Sequence, residues 1–190
     1  MTTYYVKGAT GNNANSGADW ANAVQTVAGA LAKATPTIIY VDASETFTAT
    51  AAITWTMPSG GTIAVISVTS GTTTWAAGAK EAIGSANNAF AITPNAAGSG
   101  LYVYGMTLVS ATGFQSSGTF SIGGTGILNA TFETCTFQMP STHWNSVYQL
   151  GTTGSAKGNR LRFNNCSIQA KNVATDDFMR IGGAQIVFNN

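Results

Sequence analysis

Phe132-Glu133-Thr134-Cys135-Thr136-Phe137-Gln138 and Phe163-Asn164-Asn165-Cys166-Ser167-Ile168-Gln169 are near copies of each other, 31 residues apart. Phe, Cys and Gln match identically, and Thr/Ser and Phe/Ile match in kind. A weaker copy, Val103-Tyr104-Gly105-Met106-Thr107-Leu108-Val109, lies 29 residues before the first. Ile186-Val187-Phe188-Asn189-Asn190 resembles the first half of a fourth. Self-similarity at such a period marks a repeat architecture.

Each copy reads as two short strands joined by a sharp corner. Phe163 points inward and Asn164 outward; Asn165 turns the corner; Cys166 and Ile168 then point inward, and Ser167 and Gln169 outward. Strand alternation has period 2, so a one-residue corner must reset the phase. Such a corner calls for a left-handed backbone, which Gly and Asn adopt cheaply. Gly105 and Asn165 fit that corner, and Thr134 fits it poorly. Stacking the copies predicts three internal ladders: Met106, Cys135 and Cys166; Val103, Phe132, Phe163 and Phe188; Leu108, Phe137 and Ile168.

Composition agrees with an all-β repeat protein of 190 residues in one domain. The chain holds 22 Gly, and charged residues make up 8% against an ordinary ~25%. At 44% hydrophobic there is enough apolar material for a core. A net charge of +1 supplies no drive toward nucleic acid or an anionic membrane. The 51 residues from Ala82 to Phe132 carry no charge at all. They are too rich in Gly, Ser, Thr and Asn for a membrane span. Two readings fit this stretch: a Thr/Ser-rich solvated surface, or a surface covered by other subunits, since interface cores are depleted in charge.

The N-terminus shows no basic, apolar and small-residue series, so no secretory leader is expected. Cys135 and Cys166 are the two cysteines, and with a single His they form no zinc pattern. Free thiols stacked in a core are expected, as in a reducing cytosol.

The first quarter has its own organisation. Tyr4-Tyr5-Val6 reads as a strand and Gly8–Gly17 as a loop. Asp19 is expected to cap a helix from about Trp20 to Ala34. Trp20, Val24, Val27 and Leu31 recur at helical spacing. Pro36 stops that helix, and Thr37–Val41 reads as a buried strand. An amphipathic helix laid across an open stack would close its end.

The series from Tyr4 to Phe47, YYVKGATGNNANSGADWANAVQTVAGALAKATPTIIYVDASETF, resembles the N-terminal cap of right-handed parallel β-helix proteins of the pectin-lyase-like class. The FNNCSIQ corner resembles their repeated rungs. This implies a single right-handed parallel β-helix with an N-terminal capping α-helix: a cap over 1–41 and rungs over 42–190, with a continuation past Asn190 left open. Phe188-Asn189-Asn190 stops at the corner where the earlier copy continues, so either further chain or another subunit is expected there. The class holds polysaccharide lyases, glycoside hydrolases, phage tailspikes and non-catalytic virion proteins, and fold alone does not choose among them.

Catalytic chemistry is thin. A glycosidase needs two positioned carboxylates, and the seven acids are Asp19, Asp42, Glu45, Glu81, Glu133, Asp176 and Asp177. Asp19 reads as a cap, Asp42 and Glu45 as turn residues, and Glu133 as an outward rung residue. Asp176-Asp177 lie in an inter-rung loop near Lys171 and Arg180. His143-Trp144 is either a packed loop pair or a sugar contact, since Trp stacks on sugar faces and His titrates near neutrality. Lys157, Arg160, Arg162, Lys171 and Arg180 place five of the eight basic residues in the last 34. Arg160 and Arg162 project outward from one strand, either as a solvated face or as a docking surface for an acidic partner. No P-loop, dinucleotide fingerprint or nucleophile elbow is present.

The expectation is therefore a non-catalytic structural component of a bacteriophage virion, a head-decoration or tailspike-like protein, with no catalytic, cofactor or metal residues. The phage setting and a homotrimer are implied by the resemblance. Other virion proteins and a host glycan are the expected partners, with no nucleic acid and no membrane insertion. The location would be the virion, assembled in host cytoplasm. The alternatives are a polysaccharide lyase or glycoside hydrolase, including the front of a tailspike depolymerase, and a carbohydrate-binding adhesin.

Overall fold

A computed structural model of the chain describes residues 2–33, 36–84, 88–95, 97–110, 119–139, 147–151, 158–169 and 179–190, without the side chains of 119 and 147. The chain starts with β1 (Thr3–Val6) and the short helix α1 (Val27–Leu31). Strands then arrive in threes. β2 (Ile38–Asp42), β3 (Thr46–Ala49) and β4 (Ile53–Thr56) form the first coil; β5 (Thr62–Val68), β6 (Lys80–Ile83) and β7 (Phe90–Thr93) the second. β8 (Ser99–Tyr104), β9 (Thr107–Val109) and β10 (Thr119–Ile122) form the third; β11 (Leu128–Glu133), β12 (Thr136–Gln138) and β13 (Val147–Gly151) the fourth. β14 (Asn159–Asn164), β15 (Ser167–Ile168) and β16 (Met179–Gly182) complete the fifth, and β17 (Ala184–Asn189) begins another.

Each coil gives one strand to each of three sheets. Sheet A runs β1-β2-β5-β8-β11-β14-β17, sheet B runs β3-β6-β9-β12-β15, and sheet C runs β4-β7-β10-β13-β16. Every pairing of these strands is parallel. The chain is thus all-β, with parallel strands stacked in three sheets, an architecture compatible with a parallel β-helix.

The repeated segments pair as the sequence predicts. Val103 opposes Phe132, Phe132 opposes Phe163, and Phe163 opposes Phe188. Leu108, Phe137 and Ile168 are likewise in register. The Phe132 and Phe163 rings stack at 5.2 Å and 13°, and those of Phe163 and Phe188 at 5.0 Å and 18°. Sheet C has a matching stack of Phe90 on Phe120 at 5.0 Å and 2°. Offset-stacked rings add about 0.5–1.5 kcal/mol beyond the area they bury.

The corner between sheets A and B is left-handed in three successive coils: φ is +70° at Gly105, +55° at Thr134 and +50° at Asn165. Thr134 therefore sits in the aligned position despite its chemistry. Its β-branched side chain takes up a conformation that costs roughly 1–2 kcal/mol for an ordinary L-residue.

Two expectations need correction. The helix is shorter than the Trp20–Ala34 span, and its N-cap is Thr26, whose hydroxyl accepts from Gly29 N–H at 2.8 Å. Asp19 instead accepts from Asn22 N–H at 2.8 Å and holds a turn. Val24, assigned to the helix by spacing, forms a parallel bridge to Val6 and exchanges backbone bonds with Tyr5 and Lys7. A β-branched residue beside an open strand edge gains more from pairing than from one more helical turn. Second, Cys135 is buried but Cys166 is half-buried, because the stack thins toward its last coil. Both cysteines are free, as expected.

Candidate functional site

All five carboxylates among the described residues accept hydrogen bonds. Asp42 accepts from Ser44 N–H and Ser44 Oγ through Oδ1, and from Ser70 Oγ at 2.6 Å through Oδ2. Burial works to raise its pKa. The bonds from Ser70 and Ser44, with the charge of Lys7, outweigh that and hold it below the ordinary value. Glu45 accepts from Ala9 N–H, Thr10 N–H and Thr10 Oγ1, and so fastens the Gly-rich loop to the first coil. The bonds from Ser44 fit the turn role that the sequence assigned to Asp42, whereas the Glu45 side chain reaches a loop 35 and 36 residues earlier and not its own turn.

Glu81 has a different place. It lies on the inner side of sheet B, opposite Phe47 on one strand and Leu108 on the next. Val27 N–H donates to Oε1 at 2.6 Å, and Trp55 Nε1–H donates to Oε2 at 2.8 Å. Burial dominates, and the two donors only partly offset it, so the pKa rises to about 7. This carboxylate ties the start of α1 to the second coil. Sequence reading left Glu81 without a role, because Lys80-Glu81 looks like a polar pair until the register with Leu108 turns it inward.

Glu133 lies on the outer face of sheet A, as the alternation predicts, and accepts from Tyr102 OH at 2.8 Å. Around it the sheet's outward residues form columns. One column runs Tyr5, Tyr40, Ile66, Tyr104, Glu133, Asn164 and Asn189. Its neighbour carries Tyr102, Thr131 and Arg162, and the next carries Gly100, Asn129, Arg160 and Gln185. A cleft of about 340 Å³ opens between Asn129, Thr131, Arg160, Arg162 and Gln185. The outward projection of Arg160 and Arg162 is as the sequence predicts; both are exposed.

Trp75 joins this face from the connection between β5 and β6. The segment folds back on the end of β5, with an antiparallel bridge from Val68 to Trp75 and bonds from Thr69 N–H to Thr74 O and from Ala76 N–H to Ser67 O. Its indole is 50% exposed and lies 4.8 Å from the Tyr104 ring and 6.0 Å from the Tyr102 ring. Trp75 follows three threonines and belongs to no periodic pattern that would mark it. The outward direction of Tyr102 and Tyr104 was readable from their alternation with Leu101 and Val103.

The remaining candidates are structural or lie elsewhere. Cys135 Sγ approaches Glu133 O at 3.3 Å, and Cys166 Sγ approaches Asn164 O at 3.3 Å. Its hydrogen bond with Cys166, together with burial, pushes the Cys135 thiol well up, which makes it a poor nucleophile. No group of three metal-ligating side chains occurs among the described residues. No helix there is long and apolar enough to cross a membrane. His143, Trp144, Lys157, Lys171, Asp176 and Asp177 lie outside the described residues.

In comparisons with known proteins, no family model, no curated protein and no solved structure matches the chain.

Proposed function

We propose that the chain is a non-catalytic structural component of a bacteriophage virion, a decoration or spike-like protein built as a right-handed parallel β-helix with α1 over its N-terminal end. The observation that carries the non-catalytic reading is the commitment of the carboxylates. Asp19, Asp42, Glu45, Glu81 and Glu133 each accept bonds that hold the fold together; Asp19 precedes the first coil, Asp42 and Glu45 lie in it, and Glu81 and Glu133 lie in the second and fourth. Sugar cleavage needs two acids converging on one bond with separated pKa values. Stacked coils build a body along one axis, a form suited to projecting from or cladding a particle. The phage setting rests on the likeness of the Tyr4–Phe47 series and the FNNCSIQ corner to that class.

In this reading the protein is a homotrimer whose contacts come from the charge-free stretch 82–132. Immunogold labelling of purified particles with antibody against the chain is expected to decorate them at regular positions; unlabelled particles overturn the assignment. Incubation with host surface polysaccharide and pectin-type polymers is expected to yield no new reducing ends. Turnover that disappears in Asp176→Asn or Asp177→Asn would instead establish a polysaccharide-degrading enzyme. Sedimentation equilibrium at micromolar concentration is expected to give three times the chain mass of 19.5 kDa, and a persistent monomer removes the trimer from the proposal.

A further inference from the structure

We infer that Cys135 and Cys166 form a two-coordinate site for a soft monovalent cation, Cu(I) or Ag(I), held between the stacked corners of the fourth and fifth coils.

The backbone sets the two sulfurs in register. Glu133 opposes Asn164 before the corner, and Thr136 opposes Ser167 after it. Thr134-Cys135 therefore lies against Asn165-Cys166, and both corners share the same left-handed turn. Ser167 N–H donates to Cys135 O at 2.9 Å and fixes the pair. Each thiol leans toward the preceding coil: Cys135 Sγ lies 3.6 Å from Val103 O, and Cys166 Sγ lies 3.4 Å from Phe132 O. The two thiols also share a hydrogen bond with each other.

Spacing selects the ligand. Neighbouring strands lie about 4.8 Å apart, and residues in parallel register keep their Cβ atoms near that separation. A disulfide wants its Cβ atoms about 3.8 Å apart, so closing one would pull the two coils together. A metal–thiolate bond is about 2.3 Å long, so a linear sulfur–metal–sulfur unit spans roughly 4.6 Å. That span matches the strand spacing. Linear coordination by two thiolates is the habit of monovalent cations with a filled d shell, and soft sulfur ligands select Cu(I). Zinc would want four ligands, and no group of three His, Cys, Asp or Glu side chains occurs among the described residues.

The surroundings suit a soft ion. Cys166 is half-buried and gives access, whereas Cys135 is buried in the core. Met106 precedes Cys135 in the same column and extends it with a thioether. The backbone supports the charge that develops on the sulfurs. Met106 N–H faces the Cys135 sulfur, and Cys135 N–H faces the Cys166 sulfur. Hydrogen bonds to the charged form favour thiolate. The Cys135 thiol, more than that N–H, already holds the Cys166 thiol below its ordinary pKa. On binding, two metal–sulfur bonds form and two protons leave to water, among them the one shared between the sulfurs. No electron is transferred. The ion would clip the fourth coil to the fifth, where the stack thins.

The test titrates the whole chain with Cu(I) without oxygen, in competition with a chromophoric Cu(I) chelator. One ion per chain is expected to be withheld from the chelator, and X-ray absorption should show sulfur neighbours alone. Cys166→Ser, at the half-buried position, should weaken retention by about a hundredfold or more, as should Cys135→Ala. Bound Ag(I) should raise the melting temperature of the parent and leave that of Cys166→Ser unchanged. The inference fails if the chelator strips the parent as readily as the variants. It fails if two ions bind per chain with equal strength, which would mean independent thiols, or if half an ion binds per chain, which would mean sulfurs shared between copies. Complete disulfide formation under mild peroxide, read by mass spectrometry, would overturn the spacing argument.

Discussion

The inner columns of sheets A and B are built alike and filled differently. In sheet A, Ile39, Val65, Val103, Phe132, Phe163 and Phe188 follow one another in register, and every member is apolar. In sheet B the column runs Phe47, Glu81, Leu108, Phe137 and Ile168, with an acid at its second level. The difference shows what a stacked interior demands. Like residues placed above one another need nothing from outside the sheet. An acid is tolerated where two N–H donors from other elements, Val27 and Trp55, converge on it.

The largest effect should come from breaking the uniform column. Phe132 is buried, with stacked and edge contacts to Phe163 and Phe137. Phe132→Ala should cost about 3–5 kcal/mol in urea unfolding, and a loss below ~1 kcal/mol would mean that the column is not tightly packed.

The next effect should come from the mixed column through pH. The pKa of Glu81 is raised from 4.5 to about 7 in the folded chain, so the folded state holds this proton more tightly than the unfolded state does. Below pH 4.5 the carboxyl is neutral in both states, and its contribution is complete. As pH rises through 7 that contribution is lost, a change of about 3 kcal/mol. Asp42, held below its ordinary value, acts in the opposite direction: its contribution is present above that value and lost as pH falls. Urea midpoints measured across this range should fall from pH 5 to pH 8 in the parent and stay nearly level in Glu81→Gln. Equal slopes in the two proteins would remove Glu81 as the cause.

The smallest effect lies at the corner between the two columns. Thr134→Asn places at φ +55° a residue that tolerates this conformation, and should stabilise by about 1 kcal/mol. Asn165 already shows the arrangement one coil later. No gain in melting temperature would mean that the threonine makes up its strain through other contacts.

Much of sheet A was legible because the Phe and Cys repeats carried both the period and the phase. The corner at Thr134 was legible from alignment even against its residue preference. The first coils were harder to read. There the connection from β5 to β6 spans residues 69–79 instead of a tight corner, and the column partners of Glu81 are unlike it. The helix was misjudged for a related reason: Val24 satisfies helical spacing, but its backbone finds a strand edge at Val6. Trp75 was not legible as a surface feature, because its position depends on a fold-back bridge and on space left at Gly105. Neither leaves a periodic trace in the sequence.

The register has a consequence for how the chain is made. Each strand pairs with one that lies between 25 residues further on, as from Asn159 to Ala184, and 38, as from Thr62 to Gly100. A chain that folded as it was synthesised would offer each newly emerged coil a template already built, at the open edge beside it. Such growth is sequential, like adding courses to a wall, and loop closure is met in similar small instalments. Glu81 belongs to the second course, yet its donors come from α1 and from β4 in the first. In such sequential growth the bond between foundation and wall would be set before the aromatic stack of the later coils began to rise.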